Sequence, residues 1–135
     1  YLFKIVAKDG GYDAEQVWHE NKMKVQHGTI VSRDKLVFGS SGDFGPAFLM
    51  GLDLESGKVL WRDRGFSKAN LLMADGKLLI LDEEGNLALA TADATGVKVI
   101  SKAKLLEEKA WTVPTLVCST LYLRDNKTMM AVELK

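Results

Sequence analysis

Few side chains in this sequence have the type and spacing that chemistry requires. His19 and His27 stand eight residues apart, a separation that could bring two imidazoles to one metal ion. No cysteine or third donor accompanies them, and zinc sites use about three or four protein ligands. Asp82-Glu83-Glu84 is the densest acidic run. Calcium asks for about six to eight oxygens, and no carboxylate loop here has that spacing, so the run reads as a solvated hairpin tip. Cys118 is the only cysteine. A disulfide within the chain is therefore excluded, and the expected role of Cys118 is that of a small buried apolar residue. Arg124 is expected to pair with a nearby carboxylate or to cap a turn, with substrate binding as the alternative. The chain has no Gly-x-Ser-x-Gly elbow, no phosphate loop and no Cys–His pairing at a usable spacing. On these grounds no residue is assigned a catalytic, cofactor-binding or metal-binding role.

The totals narrow the partners. Eighteen basic residues balance eighteen acidic ones over 135 positions, without a basic stripe, which argues against nucleic acid. No apolar run approaches the roughly 18 residues of a membrane span. With 47% hydrophobic and 27% charged residues, the composition is that of an ordinary globular protein. The sequence begins at Tyr1, and any targeting segment is expected to be missing from this chain rather than from the protein. Asp43-Phe44-Gly45 spells the metal-binding tripeptide of protein kinases, but the other kinase motifs are missing, so the match is a coincidence.

The elements that must position these residues read as short strands. The clearest is the stretch Leu52 to Trp61: apolar alternation, a turn at Ser56-Gly57, then a β-rich run ending on tryptophan. Trp18 and Trp61 lie 43 positions apart, and Ile100 lies 39 beyond Trp61, each of the last two following a glycine by four. Periods near 40 with four short strands each are those of a propeller blade; helical repeats would show a period of 3.6 instead.

Naming strands A (inner) to D (outer), the expected order is C over 2–7 and D over 15–20; A over 28–33, B over 35–40, C over 47–54 and D over 58–64. The third set is A over 69–74, B over 77–81, C over 87–91 and D over 97–101. The last is A over 111–117, B over 120–124 and C over 128–134. A longer turn is expected from Asp9-Gly10-Gly11, a long B–C loop over 39–46, a hairpin turn at Asp75-Gly76, and a turn or extended connector over 102–109. The fold class is thus all-β: a β-propeller segment of two whole and two partial blades, divided as 1–20, 28–64, 69–101 and 111–135. Propellers close at about four to eight blades, so the chain is expected to be the C-terminal part of a larger propeller, the remaining blades coming from the same chain, from another chain or from further copies of this one.

At these residues the chain resembles the PQQ-like (quinoprotein-like) β-propeller repeat family. Gly51-Leu52-Asp53-Leu54-Glu55-Ser56-Gly57-Lys58-Val59-Leu60-Trp61 follows that repeat almost throughout, and the segments Ala74 to Gly85, Trp111 to Val117 and Leu121 to Asp125 look like its hairpins. Ile100 departs from it, the last repeat has no turn or tryptophan after Leu134, and the first carries an insertion at Gly10-Gly11-Tyr12-Asp13. The resemblance implies that Trp18 and Trp61 wedge between neighbouring blades. It implies a binding or scaffold module in the periplasm or at the cell surface, with a protein partner and no catalysis of its own, the 39–46 loop being the first candidate surface. The alternative it implies is the C-terminal part of a quinoprotein dehydrogenase that uses PQQ with calcium. His27 could then face the axial channel, and Trp111 could stack on an axial ligand or pack between blades.

Overall fold

The computed structural model describes residues 1–134. Lys135, which the expected last blade includes, lies outside the described residues. Thirteen strands and no helix form four antiparallel sheets among them. β1 (Leu2–Lys8) pairs with β2 (Gly11–Trp18). The second sheet runs β3 (Val31–Arg33), β4 (Leu36–Ser41), β5 (Phe48–Asp53), β6 (Val59–Asp63). The third runs β7 (Ala69–Ala74), β8 (Lys77–Asp82), β9 (Asn86–Ala92), β10 (Val97–Lys104). The fourth has three strands: β11 (Thr115–Val117), β12 (Thr120–Arg124) and β13 (Met129–Glu133). Each strand pairs with its neighbour in sequence, so every sheet is a simple meander.

The middle strands are buried on both faces, which explains their near-continuous apolar runs. Along β8, Leu78 and Ile80 enter one core with Phe38, Leu49, Leu71 and Ala90. Leu79 and Leu81, pointing the other way, enter a second core with Leu106, Leu121 and Leu123. A third core, Val37, Met50 and Leu52, lies on the far face of the second sheet. The last three sheets are therefore stacked face on face, the first and second cores being the filling between them, while Met23 of the connector ahead of β3 packs on the third core.

Tight turns join the first two strands of the last three sheets. Asp34, Asp75 and Cys118 each open a two-residue hairpin with a positive φ of 55°, 47° and 53°. At Asp75-Gly76 both turn residues take positive φ, the two-residue geometry that matches strand twist.

Several expectations need correction. The turn at Asp9-Gly10 has two residues, with Lys8 opposite Gly11, and the following strand spans 11–18 rather than 15–20. Cys118 is exposed: it occupies a hairpin tip. The inner strand expected over 28–33 shrinks to Val31–Arg33, and Thr29 ahead of it bonds to the neighbouring sheet. The Thr29 hydroxyl accepts from the Leu71 N–H at 2.8 Å and donates to the Leu71 carbonyl at 2.6 Å. The strand expected over 111–117 shrinks likewise to Thr115–Val117, and β4 continues through Ser41, shortening the 39–46 loop. In the 102–109 segment, β10 runs on to Lys104 and an extended connector follows, anchored where Leu105 and Leu106 donate their N–H groups to the Gly85 carbonyl.

Candidate functional site

Tryptophan joins sheet to sheet, and carboxylates hold the turns that receive it. Trp18, at the end of β2, donates its indole N–H to the Leu54 carbonyl at 2.8 Å. Its ring lies on Gly57, where a Cβ would fall 2.7 Å from the indole. Trp61, in the middle of β6, donates to the Asp93 carbonyl at 2.7 Å and packs beside the Phe38 ring at 6.0 Å. The acceptors sit in the turns after β5 and β9. Asp53 holds the first of these turns by accepting from the N–H and hydroxyl of Ser56; Asp93 holds the second by accepting from those of Thr95. These donors, the hydroxyl first in each case, keep both carboxyls below the ordinary range. Arg33 adds a second tie, donating to the Gly76 carbonyl at 2.7 Å and to the Ala92 carbonyl at 2.9 Å.

The acidic run is not a solvated tip. Asp82 is 2% exposed. One of its oxygens accepts from the Glu84 N–H, the Asn86 N–H and the Asn86 amide, and the other accepts from that same amide. Asp125, 5% exposed, fills the same place after β12: it accepts from the Lys127 and Thr128 N–H groups and from the Glu108 N–H of the connector. The Lys127 and then the Glu108 N–H groups hold its carboxyl below the usual range. Ser41, the last residue of β4, ties down the connector ahead of its sheet instead, accepting from the Lys24 N–H and donating to the Lys22 carbonyl. The repeat Ser41, Asp82, Asp125 was missed in the sequence because serine and aspartate share no charge; the shared signal is a short polar residue at, or one past, the end of the second strand in the last three sheets.

His19 and His27 are not brought together as a metal pair. His19 stacks on Tyr1 at 4.1 Å, whereas His27 lies 5.2 Å from the Trp111 ring. Trp111 is 51% exposed and donates its indole N–H to a Glu83 carboxylate oxygen at 3.1 Å, which also faces Lys109 at 3.7 Å. It is therefore a surface contact ahead of β11 rather than a packed wedge. The Nδ1 of His27 is buried with no protein partner. Arg124 is exposed and makes no ion pair among the described residues, against the expected carboxylate partner. No three His, Cys, Asp or Glu side chains cluster to hold a metal ion among the described residues, and Asp82 and Asp125 are committed to turn N–H groups. Phe44, in the loop between β4 and β5, is fully exposed.

Three clefts open between sheets. One of about 280 Å³ lies between the first and second, walled by Leu2, Trp18, Val37 and Leu52. A polar one of about 440 Å³ lies between the second and third, with Arg64, Lys68, Lys102, Glu83 and Glu84 on its walls. An apolar one of about 680 Å³ lies between the third and fourth, walled by Leu79, Leu87, Leu89, Leu116 and Val132.

No protein family and no curated protein matches the sequence. Among solved structures, BamB from Moraxella catarrhalis, a β-propeller, superposes on 76% of this chain with a TM-score of 0.58 at 17% identity. That likeness, with the stacked antiparallel sheets, decides the architecture.

The chain folds as an arc of a β-propeller.

The arc spans 29% of BamB's length. The computationally designed Ika8 protein is also similar, over 78% of this chain and 45% of its own, with a TM-score of 0.43 at 10% identity. In the arc, the second and third sheets have four strands each, the first has two and the fourth three among the described residues. No helix of the described residues is long and apolar enough to cross a membrane.

Proposed function

We propose that this arc belongs to a PQQ-like propeller that works as a protein-binding scaffold outside the cytoplasm, completed by further blades. The observation that carries the reading is the state of its two end sheets. Phe3, Ile5 and Tyr12 are 50%, 65% and 82% exposed on the first, and Val117, Tyr122 and Met129 are 54%, 38% and 70% exposed on the last. Apolar positions that middle blades bury are uncovered at both ends, and uncovered apolar faces mark association surfaces. The side chains that could do chemistry are mostly spent on turns and on joints between sheets, which favours binding over catalysis. The family and the setting outside the cytoplasm rest on the repeat at Gly51 to Trp61 and on the likeness to BamB's fold.

Light scattering on the purified chain tests the reading. Concentration-dependent association, or its suppression by a polypeptide carrying the remaining blades, is the expected result. A stable monomer that stays monodisperse at high concentration would overturn it.

A further inference from the structure

The polar cleft between the second and third sheets gathers positive charge that little around it neutralises. Arg64, Lys68 and Lys102 stand on its walls, and among the described residues none of the three takes part in an ion pair. Carboxylates share those walls, but two are committed elsewhere. Asp82 is spent on its turn, and Glu83 is held by the Trp111 indole N–H and faces Lys109. Glu84, exposed on the same wall, is left to offset three cations. A cleft lined by an excess of one sign concentrates ligands of the other.

The cations are held in place before any ligand arrives. Lys102 donates to the Gly65 carbonyl at 3.0 Å and lies 4.5 Å from the centre of the Phe66 ring. The Arg64 guanidinium lies 5.1 Å from the centre of the Phe48 ring. The Lys68 stem packs on Gly42, where an added Cβ would fall 3.0 Å from it. The segment that carries them is tied at three points: the Gly65 N–H donates to Asp63, the Glu83 N–H to the Lys68 carbonyl, and the Ala69 N–H to the Ser40 hydroxyl. Side chains ordered in advance cost a ligand less entropy. The same segment contributes Ser67 to the cleft, and the hydroxyl oxygen of Ser67 is buried without a protein partner. Leaving such a group unpaired costs free energy, which a ligand oxygen accepting from it would recover. The cleft volume of about 440 Å³ falls within the roughly 300–1,000 Å³ of ligand sites. Its remaining wall is Gly45, Pro46 and Ala47, and the residue before them, Phe44, is fully exposed. Arginine and aromatic side chains together are what protein partners grip, whereas a free inorganic anion has no use for Phe44.

We propose that this cleft binds an acidic segment of a protein partner: a carboxylate side chain seated among Arg64, Lys68 and Lys102, accepting from the Ser67 hydroxyl, with an apolar neighbour laid on Phe44. The inference names the partner chemistry of the scaffold reading and rests on that reading. The probe is a capped peptide of two glutamates and a leucine, titrated into the isotope-labelled chain. Its controls are the same peptide with glutamines in place of the glutamates, and inorganic phosphate. The expected result is saturable shifts at the amides of residues 64–68 and 102, absent with the glutamine peptide and suppressed at about 1 M salt, where charges are screened beyond about 3 Å. Arg64→Gln and Lys68→Met, which keep most of each apolar stem, should each weaken binding about tenfold, as losing one partner of an interfacial charge pair does. Phe44→Ser should weaken the peptide and leave phosphate unaffected, and Lys127→Gln, on the fourth sheet, should change nothing. Equal binding of the glutamine peptide, shifts that lie elsewhere, or indifference to both Arg64→Gln and Lys68→Met overturns the site. Phosphate that binds as tightly as the peptide, with no effect of Phe44→Ser, overturns the protein partner in favour of a small anion. The scaffold reading is judged separately by light scattering: a chain that associates through its end sheets yet ignores the peptide contradicts the cleft alone, whereas a monodisperse monomer contradicts the scaffold whatever the peptide does.

Discussion

Trp61 donates its indole N–H to the backbone carbonyl of Asp93, 2.7 Å away in the turn of the next sheet. The bond crosses from one sheet to its neighbour, and Trp18 makes the same kind of bond to Leu54 one sheet earlier. The tryptophans are thus joints between blades. Trp61→Ala should cost about 3 kcal/mol, the low end for removing a large core aromatic, because the indole is only half-buried. Trp61→Phe, which keeps a ring and loses the bond, should cost less. Urea unfolding monitored by circular dichroism checks both; an unchanged midpoint for Trp61→Ala would remove the joint from the account.

Gly51 lies beneath that indole, and a Cβ there would sit 2.4 Å from the ring. Gly51→Ala should destabilise the chain by about 1–3 kcal/mol, as overpacking does. In Trp61→Ala the same change should cost much less, since the clash partner is gone. A double-mutant cycle measures the difference; strict additivity would show that the two residues do not touch.

Asp82 stabilises its turn through three donors, two of them backbone N–H groups. Asp82→Ala leaves buried donors without an acceptor and should cost about 1–3 kcal/mol. Denaturant unfolding again gives the answer, and a loss near zero would return the residue to the solvated tip first expected.

Acid should loosen the arc. The carboxyls of Asp53, Asp93 and Asp125 are held below the ordinary range by the hydroxyl and N–H donors around them. Their folded pKa values lie below the unfolded value of about 3.9. Their contribution is therefore complete above that value and is lost as pH falls through the lowered folded values. Urea midpoints should be flat from about pH 5 to 7 on this account and should drop below about pH 4. Asp125→Asn should shrink the drop. A midpoint that rises on acidification below pH 4 would contradict the sign.

Cys118 should behave as a surface thiol. It is exposed at a hairpin tip with φ of 53°, a conformation that costs a non-glycine residue about 1 kcal/mol. A thiol reagent should label the folded chain at the rate of a free thiol, and Cys118→Gly should hold or raise stability. Labelling that waits for unfolding would show the thiol to be buried.

The fold was largely legible because its signals are local. The stretch Leu52 to Trp61 carries alternation, turn and closing tryptophan within ten residues, and its spacing to Trp18 set the period. What escaped was decided between sheets. Nothing near Thr29 announces that its hydroxyl will clasp Leu71 across a sheet boundary, ahead of an inner strand shorter than expected. Asp82 looked solvated because its neighbours are acidic, yet its donors come from Glu84 and Asn86, just past the strand it ends. Cys118 looked buried from its residue type, but its spacing from Asp34 and Asp75 already placed it at the equivalent hairpin tip. The candidate site was less legible than the fold: that Trp61 meets the Asp93 carbonyl is a relation between neighbouring sheets, and no residue type marks it.

The stacking of sheet on sheet is tested most directly by nuclear Overhauser contacts from the indole N–H protons of the chain's three tryptophans. The account predicts contacts from Trp61 to Asp93 and Ala94, and from Trp18 to Leu54 and Glu55, with slow solvent exchange at both indoles. Contacts from these two indoles confined to their own hairpins, with rapid exchange, would contradict it.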